Sequence, residues 1–147
     1  MSKKIIIDAT DLVLGRMGTV IAKTALLGGA VDIVNCEESV ILGSKNEILE
    51  KYKRNNQRGI PAKGPFFYRK PDMFVKRSIR GMLPYKKERG MKAFKSIKCH
   101  IGIPENFKNQ KIETVDKANI IKNPSERIVN YTKIKDICMY FGWVPLK

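Results

Sequence analysis

The stretch KIIIDATDLVLGRMGTVIAKTALLGGAVDIVN, residues 4–35, predicts the fold because it divides into a strand, a helix and a second strand. The β-branched run Lys4–Ala9 and the run Val31–Asn35 are typical of buried strands. Between them, apolar residues recur at helical spacing over Arg16–Leu27, and Gly28-Gly29 marks the end of that helix. Strands that alternate with helices indicate an α/β domain with a mainly parallel sheet.

The same alternation continues beyond residue 35. In chain order, the sequence predicts a strand over 39–43, a helix over 44–54, a loop over 55–71, helices over 72–84 and 87–97, a strand over 98–101, an irregular surface segment over 102–130 and a C-terminal helix over 132–141. Ser44 and Glu47 are expected to form a capping box, and Asp72 is expected to cap the helix that follows it. We therefore expect a single domain over residues 1–147.

The charge of the chain is large and unevenly placed. Its 147 residues are 43% hydrophobic, which suits one folded domain, yet 29 Lys and Arg against 14 Asp and Glu give a net charge of +15. Residues 45–98 hold seventeen basic and four acidic side chains, whereas the rest of the chain holds twelve and ten. This excess of positive charge in the middle third of the chain predicts a polyanionic partner.

Three neighbouring segments carry this charge. The loop 55–71 combines basic residues with the aromatic triplet Phe66-Phe67-Tyr68, and the helices over 72–84 and 87–97 each have an apolar face opposite a basic one. The apolar side chains expected on these helices are Val75, Ile79, Met82, Leu83, Ala93, Phe94 and Ile97. Basic helix faces beside a basic, aromatic loop favour nucleic acid as the partner.

The residue types favour RNA over the other polyanions. A protein that reads DNA sequence directs Asn, Gln or Arg at base edges, whereas these helix faces carry Lys and Arg without amides, as backbone binding requires. A long irregular loop with Phe and Tyr suits folded RNA, whose unpaired bases stack on aromatic rings. No apolar run reaches the roughly 18 residues of a membrane span, and no lipidation signal is present. We expect RNA, and neither DNA nor membrane, as the partner.

An enzyme is the alternative hypothesis. Asp8 and Asp11 follow the first strand, where α/β enzymes place catalytic groups, although such residues also turn the chain into a helix. Gly15-Arg16 lacks the patterns of dinucleotide and P-loop sites but suits one phosphate contact. The single histidine, His100, lies on a predicted strand with no evident orienting partner. An RNA-modifying or nucleotide-binding enzyme would use Asp8, Asp11 and Gly15, but a structural role is favoured at each position.

Metal binding has little support in the sequence. The candidate soft ligands are Cys36, Cys99, His100 and Cys138, and the cysteines lack the spacing of a zinc site. Cys99 and His100 are adjacent on a predicted strand, so their side chains point to opposite faces. Neither a metal nor a cofactor is predicted, and three unpaired cysteines suit a reducing cytoplasm.

Several segments are specific enough to compare with known families. The chain reads IRGMLP over 79–84 and KKERG over 86–90, with shorter segments DA at 8–9, GR at 15–16, VN at 34–35 and FYRKPD at 67–72. Taken in chain order, from residue 5 to about residue 104, they resemble the universal large-subunit ribosomal protein family numbered thirteen. The segments RKPD and KKERG are closer to its archaeal and eukaryotic branch. Tyr85 stands where the family pattern has a histidine.

This resemblance implies a three-layer α/β/α domain with a four-stranded, mainly parallel sheet, here with an extended basic loop and a C-terminal surface segment. It also implies a structural place on the large ribosomal subunit in the cytoplasm, bound to large-subunit ribosomal RNA and to neighbouring ribosomal proteins. It implies no catalysis, and we expect the chain not to form a homo-oligomer.

The predicted RNA contacts come from two sources. The resemblance implies contacts at the basic residues of the signature, which are Arg80, Lys86, Lys87 and Arg89. The basic loop, the helix faces and the first helix add Arg16, Arg58, Lys63, Arg69, Lys70, Lys76, Arg77 and Lys92.

Overall fold

The computed structural model describes residues 4–123 and 130–145. Its strands are β1 (Lys4–Asp8), β2 (Ala30–Val34), β3 (Val40–Leu42), β4 (Ile97–Cys99) and β5 (Tyr131–Lys133). Its α-helices are α1 (Leu14–Leu26), α2 (Lys45–Gln57), α3 (Pro71–Met82), α4 (Glu88–Lys95) and α5 (Ile134–Tyr140). Part of the predicted segment 102–130, at 124–129, and the two ends of the predicted domain, at 1–3 and 146–147, lie outside the described residues.

The main sheet is parallel, in the order β1-β2-β4. Ile7 pairs with Ile33, which pairs in turn with Cys99. Glu113 runs along the outer edge of β1: its N–H donates to the Ile6 carbonyl at 2.8 Å, and its carbonyl accepts from the Asp8 N–H at 3.0 Å. The prediction of an α/β fold with a mainly parallel sheet is confirmed.

The predicted third strand forms as β3, but it does not join the main sheet. It pairs antiparallel with β5, with Val40 opposite Lys133 and Leu42 opposite Tyr131. The main sheet of the described residues therefore has three strands, and the four-stranded expectation is not confirmed. The C-terminal helix predicted over about 132–141 is present as α5, but it begins only at Ile134, because residues 131–133 supply the backbone partners of β3.

The core lies on one face of the main sheet. Alternation along the strands directs Ile7, Ile33 and Ile97 to this face. The helical side chains buried against them are Leu14, Met17, Ile21, Ala22 and Ala25 of α1, Ile48 of α2, Phe74, Val75 and Ile79 of α3, Ala93 of α4, and Ile134, Ile137 and Cys138 of α5. Since full burial of one large aliphatic side chain contributes about 1.5–3 kcal/mol, this cluster supplies most of the driving force for folding.

The opposite face of the sheet is covered by irregular chain. Ile6 and Val34 pack there against Phe107 and Ile112, and Phe107 belongs to a short 3-10 turn, Glu105–Phe107. In the described part of the chain, these side chains cover that face where the three-layer expectation places helices. The expected α/β/α layering is therefore not confirmed.

Several predicted boundaries shift. Helix α2 continues to Gln57, so the irregular part of the predicted loop 55–71 is 58–70. Helix α3 begins at Pro71, whose ring suits the first helical position, so Asp72 lies inside the helix and is not its cap. Helix α4 ends at Lys95, and Ile97 is buried as part of β4. Met82, expected to be buried, is 37% exposed, because it lies at the last turn of α3 over the edge of α1.

Of two predicted helix ends, the glycine end of α1 is present and the capping box of α2 is not. Gly28 ends α1 as predicted: its φ of +93° favours glycine, and the Gly29 N–H donates to the Thr24 carbonyl at 3.0 Å. Ser44 stands at the N-cap of α2, but its side chain forms no capping hydrogen bond, so the expected capping box is not formed.

Gly90 allows the closest backbone approach in the basic region. A Cβ at this position would lie 2.1 Å from the carbonyl oxygen of Pro84, which is backbone and cannot rotate away. The first turn of α4 therefore packs directly on the chain at Pro84-Tyr85. This contact holds Lys86 and Lys87 in a tight connection between α3 and α4.

Substitution Gly90→Ala should destabilise the fold by about 2 kcal/mol, because either α4 or the segment at Pro84 must move. The matched control is Gly81→Ala in α3, where an added Cβ meets open space and should stabilise the helix by roughly 0.5–1 kcal/mol. Urea unfolding of the two variants measures both changes. Equal stability of the two variants would contradict the close packing at Pro84.

Candidate nucleic-acid interface

All twelve basic residues predicted to bind RNA lie at the surface. Lys76 and Arg80 are half-buried, and the other ten are exposed: Arg16, Arg58, Lys63, Arg69, Lys70, Arg77, Lys86, Lys87, Arg89 and Lys92. The ten exposed side chains hold their charged heads in solvent, and the half-buried pair can keep its apolar stems against the protein. Every predicted side chain is therefore accessible to a partner.

One continuous run of basic residues differs in its ion pairing from several other basic residues of the molecule. Outside the middle third, Lys4, Lys108, Lys122 and Lys133 each pair with an acidic side chain. Within the described residues, none of the nine Lys and Arg from Arg58 to Lys87 forms an ion pair. Their positive field is thus not neutralised internally and is directed at an external anion. We call these nine residues the unpaired cations.

Three successive cations of α3 rest on aromatic rings. The Lys76 Nζ lies 5.1 Å from the centre of the Phe94 ring, the Arg77 guanidinium 5.4 Å from that of Tyr68, and the Arg80 guanidinium 4.7 Å from that of Tyr85. Each such contact contributes about 0.5–1 kcal/mol at an exposed site. The rings orient the charged heads but do not neutralise them. A carboxylate in the same place would neutralise them.

Tyr85 has a specific place in this arrangement. Its ring is 40% exposed and lies beneath Arg80 in the connection between α3 and α4. A tyrosine where the family pattern has a histidine therefore keeps an aromatic face for the neighbouring arginine.

Arg77 also fastens the loop. Its Nη1 donates to the Phe66 carbonyl at 2.7 Å while its plane lies over Tyr68, so this one side chain ties both ends of 66–68 to α3. Phe67, between them, packs on Phe141 of the C-terminal region, with ring centres 4.8 Å apart. Arg77 thus combines a charged head with an internal role that helix-face analysis did not predict.

The structure brings some predicted residues together and keeps others apart. Arg58 and Arg77 line a cavity of about 350 Å³, and Arg58 and Arg69 line an adjoining one. Arg89 and Lys92 line a separate cavity between α1 and α4. The predicted residues that line none of these three cavities are Arg16, Lys63, Lys70, Lys76, Arg80, Lys86 and Lys87.

The basic face of α4 is partly engaged within the protein. Lys92 Nζ lies 2.7 Å from the carboxylate of Glu88, one turn earlier. An Arg89 guanidinium nitrogen donates to the Leu26 carbonyl at 3.4 Å, at the end of α1, where cations complement the helix dipole. These two side chains are less free than the unpaired cations.

The residues of the enzyme hypothesis are occupied by structural contacts. The Asp8 carboxylate accepts from the Thr10 hydroxyl at 2.7 Å and from the Asn35 side chain at 3.0 Å, which fixes the turn after β1. Asp11 lies 3.8 Å from Lys133 Nζ, which also binds Glu38 at 2.5 Å and has its pKa raised chiefly by that hydrogen bond. The structural interpretation of Asp8 and Asp11 is supported.

His100 and the buried cysteines also have local roles. His100 Nε2 lies 3.2 Å from the buried carboxylate of Asp32, which Lys4 contacts at 3.1 Å from the other side. A hydrogen bond between the Cys36 and Cys99 thiols, together with burial, raises the pKa of Cys36 well above its usual range. Burial, with Asp72 nearby, raises the pKa of Cys138 to about 12. Both thiols therefore stay protonated, unlike a nucleophile or a metal ligand.

The described residues contain neither a metal-binding cluster nor a membrane-spanning helix. Over 4–123 and 130–145, no three His, Cys, Asp or Glu side chains lie close enough together to hold a metal ion. Over the same residues, no helix has the length and apolar character needed to cross a bilayer.

The fold and the surface define a class: a small, strongly basic α/β protein whose unpaired cations and aromatic residues share one continuous stretch of chain. The family model described as Ribosomal protein L13 matches residues 2–106, so the chain belongs to the ribosomal protein L13 family. The match covers the stretch over which the resemblance was seen in the sequence, and that resemblance is confirmed.

Curated relatives extend the match. Large ribosomal subunit protein uL13 of Methanococcus maripaludis is 44% identical over 142 residues, 94% of this chain and 97% of its own. The protein of the same name from Methanococcoides burtonii is 38% identical over 137 residues, 93% and 96% of the two chains, and that from Methanopyrus kandleri is 44% identical over 108 residues, 74% and 68%. These relatives bear the name of a ribosomal protein and not of an enzyme.

Substitution Arg77→Met should loosen the loop without unfolding the domain, because it removes the donor to the Phe66 carbonyl while the buried face of α3 is unchanged. We expect faster hydrogen exchange at the amides of Lys63 and Gly64, with a change of under about 1 kcal/mol in global stability. Arg16→Met, which removes an exposed arginine elsewhere, is the control. Unchanged loop exchange in Arg77→Met would show that this contact does not order the loop.

Proposed function

We propose that this protein is a structural constituent of the large ribosomal subunit that binds and stabilises large-subunit ribosomal RNA. The relatives are large ribosomal subunit proteins, and the chain matches the M. maripaludis protein over nearly its whole length. The proposal places the chain in the cytoplasm on the ribosome, as one copy next to neighbouring ribosomal proteins, with no homo-oligomer. Residues 1–147 act as one RNA-binding domain.

The observation that carries this proposal is the set of unpaired cations. A folded RNA concentrates phosphates where its strands approach one another, and their repulsion must be neutralised by cations held in place. The nine residues from Arg58 to Lys87 have one acidic neighbour in sequence, Asp72, and it too forms no ion pair in the described residues. Such a surface stabilises RNA segments by neutralising their phosphates, and this role needs no catalytic group.

The two basic parts of this surface supply different contacts. Arg58, Arg69 and the loop around them form the more irregular part, which suits an RNA surface of matching shape. Arg80, Lys86 and Lys87 follow one another along the end of α3 and the connection to α4, and suit a run of phosphates. Arginine adds two-bond contacts to phosphate oxygens, whereas lysine adds point charges.

The double substitution Lys86→Glu with Lys87→Glu should abolish entry into large subunits, because attraction to phosphate becomes repulsion at two neighbouring exposed positions. The matched control, Lys108→Glu with Lys111→Glu, changes the net charge equally on the exposed surface of the 102–123 segment. Incorporation of tagged variants is measured by sucrose-gradient sedimentation, and circular dichroism confirms folding. If both folded variants enter subunits equally, the interface lies elsewhere.

Salt dependence separates free cations from engaged ones. Substitution Lys76→Ala should flatten the slope of log affinity against log salt by about one unit for an rRNA transcript, since it removes one phosphate contact. Lys92→Ala should flatten it less, because Glu88 already neutralises part of that charge. Lys122→Ala, whose lysine pairs with Asp116, should leave the slope unchanged. An identical slope in wild type and Lys76→Ala would remove Lys76 from the interface.

A further inference from the structure

A cavity of about 350 Å³ opens at the surface between α2, the loop and the first turns of α3. Its size is within the range of small-molecule sites, about 300–1,000 Å³. The contributors are Tyr52, Asn55 and Arg58 from α2 and its end, 65–68 from the loop, and Phe74, Arg77 and Ser78 from α3. Three separate elements therefore converge on one opening.

The floor of this cavity is aromatic and fixed. Tyr52 and Phe74 meet edge to face with ring centres 5.0 Å apart, and Phe67 lies 6.1 Å from Phe74. Phe74 is buried, and burial raises the pKa of Tyr52, so its hydroxyl stays neutral. A rigid, uncharged floor of this kind receives a flat, apolar group without rearrangement.

The rim offers a free aromatic face. Phe66 is 63% exposed, although a phenylalanine of this chain that packs internally, such as Phe74, is 7% exposed. Tyr68 is also exposed, but one side of its ring carries the Arg77 guanidinium. Phe66 is thus the ring at this opening with room for a stacking partner, and its position is set by the bond from Arg77 to its carbonyl.

The polar groups around the opening match an anion with hydrogen-bonding edges. Arg58 and Arg77 are positive, Asn55 offers an amide and Ser78 offers a hydroxyl. In the part of the chain that the structure describes, no acidic residue lines the cavity. A nucleotide has these three features together: a flat ring, edges that donate and accept, and a phosphate. A protein side chain supplies at most two of them.

We propose that this cavity receives a single unpaired nucleotide of the bound RNA, with its base stacked on Phe66. The base edge meets Asn55 and Ser78, and the adjacent phosphate meets Arg58. Arg77 is a positioning residue that holds Phe66 in place. This inference rests on the proposed function and deepens it, since it assigns one base-binding site within a surface that otherwise contacts phosphates.

The test compares two single-stranded probes on the full-length protein: a uridine hexamer and an abasic hexamer with the same sugar–phosphate backbone. The wild-type protein should bind the uridine hexamer roughly 5- to 100-fold more tightly, the range expected for stacking of one base. Phe66→Leu should remove this preference while leaving affinity for the abasic hexamer unchanged. Arg58→Gln should weaken binding of both hexamers, because it removes a phosphate contact.

The control variant is Tyr131→Leu, which removes an exposed ring on β5, far along the chain from the cavity. It should keep the full preference for uridine. A preference that survives in Phe66→Leu, or one that the wild-type protein lacks, overturns the base-binding site. Thermal melts confirm that the variants fold, as expected for exposed positions.

Photocross-linking locates the base directly. A hexamer carrying one 5-iodouridine should cross-link to Phe66 or Tyr68, and cross-links confined to other residues overturn the proposal. A photoreactive residue placed at position 66 should capture RNA in purified large subunits, and capture of a protein instead also overturns it. A different result would contradict the proposed function: failure of the wild-type tagged chain to enter large subunits.

Discussion

Mutual repulsion among the unpaired cations is the constraint on which the rest of the structure depends. Like charges one turn apart on a helix destabilise it by a few tenths of a kcal/mol per pair, and here they recur through a loop, a helix and a connection. Among the described residues, no carboxylate relieves this repulsion by pairing with one of these cations, and such a pair would also cancel attraction to a partner. It places aromatic rings under Lys76, Arg77 and Arg80 and holds the backbone with buried apolar faces.

The hydrophobic core holds the backbone of the cationic segments in place. The core on one face of the main sheet buries side chains from all five described α-helices, so α3 and α4 cannot move away from each other without exposing apolar surface. The contact of Gly90 with Pro84 sets the spacing between these helices. On the other face of the sheet, the buried carboxylate of Asp32 pairs with Lys4 and contacts His100, in contrast to the cationic surface. Stability and binding are therefore assigned to different residues.

Much of the candidate site was predictable because charge and periodicity are local properties. The basic stripe of α3 follows from residues three and four apart, and all twelve predicted cations lie at the surface. The internal engagement of Arg77 and Arg89 was not predictable. Their partners are backbone carbonyls of Phe66 and Leu26, which are 11 and 63 residues away, and no side-chain pattern reports the position of a carbonyl. The convergence of Asn55, Phe66 and Ser78 on one cavity likewise depends on how three elements pack.

The amino-acid sequence by itself determined the alternation of strand and helix, the end of α1 at Gly28, the parallel pairing of β1 and β2, and the concentration of positive charge in the middle third. These depend on propensity, spacing and composition, which act over a few residues. The tertiary structure alone decided that β3 pairs with β5 and not with the main sheet, that irregular chain covers the second face, and that Arg77 fastens the loop. Each of these depends on which distant backbone groups come within hydrogen-bonding reach, and that is settled only when the whole core has packed.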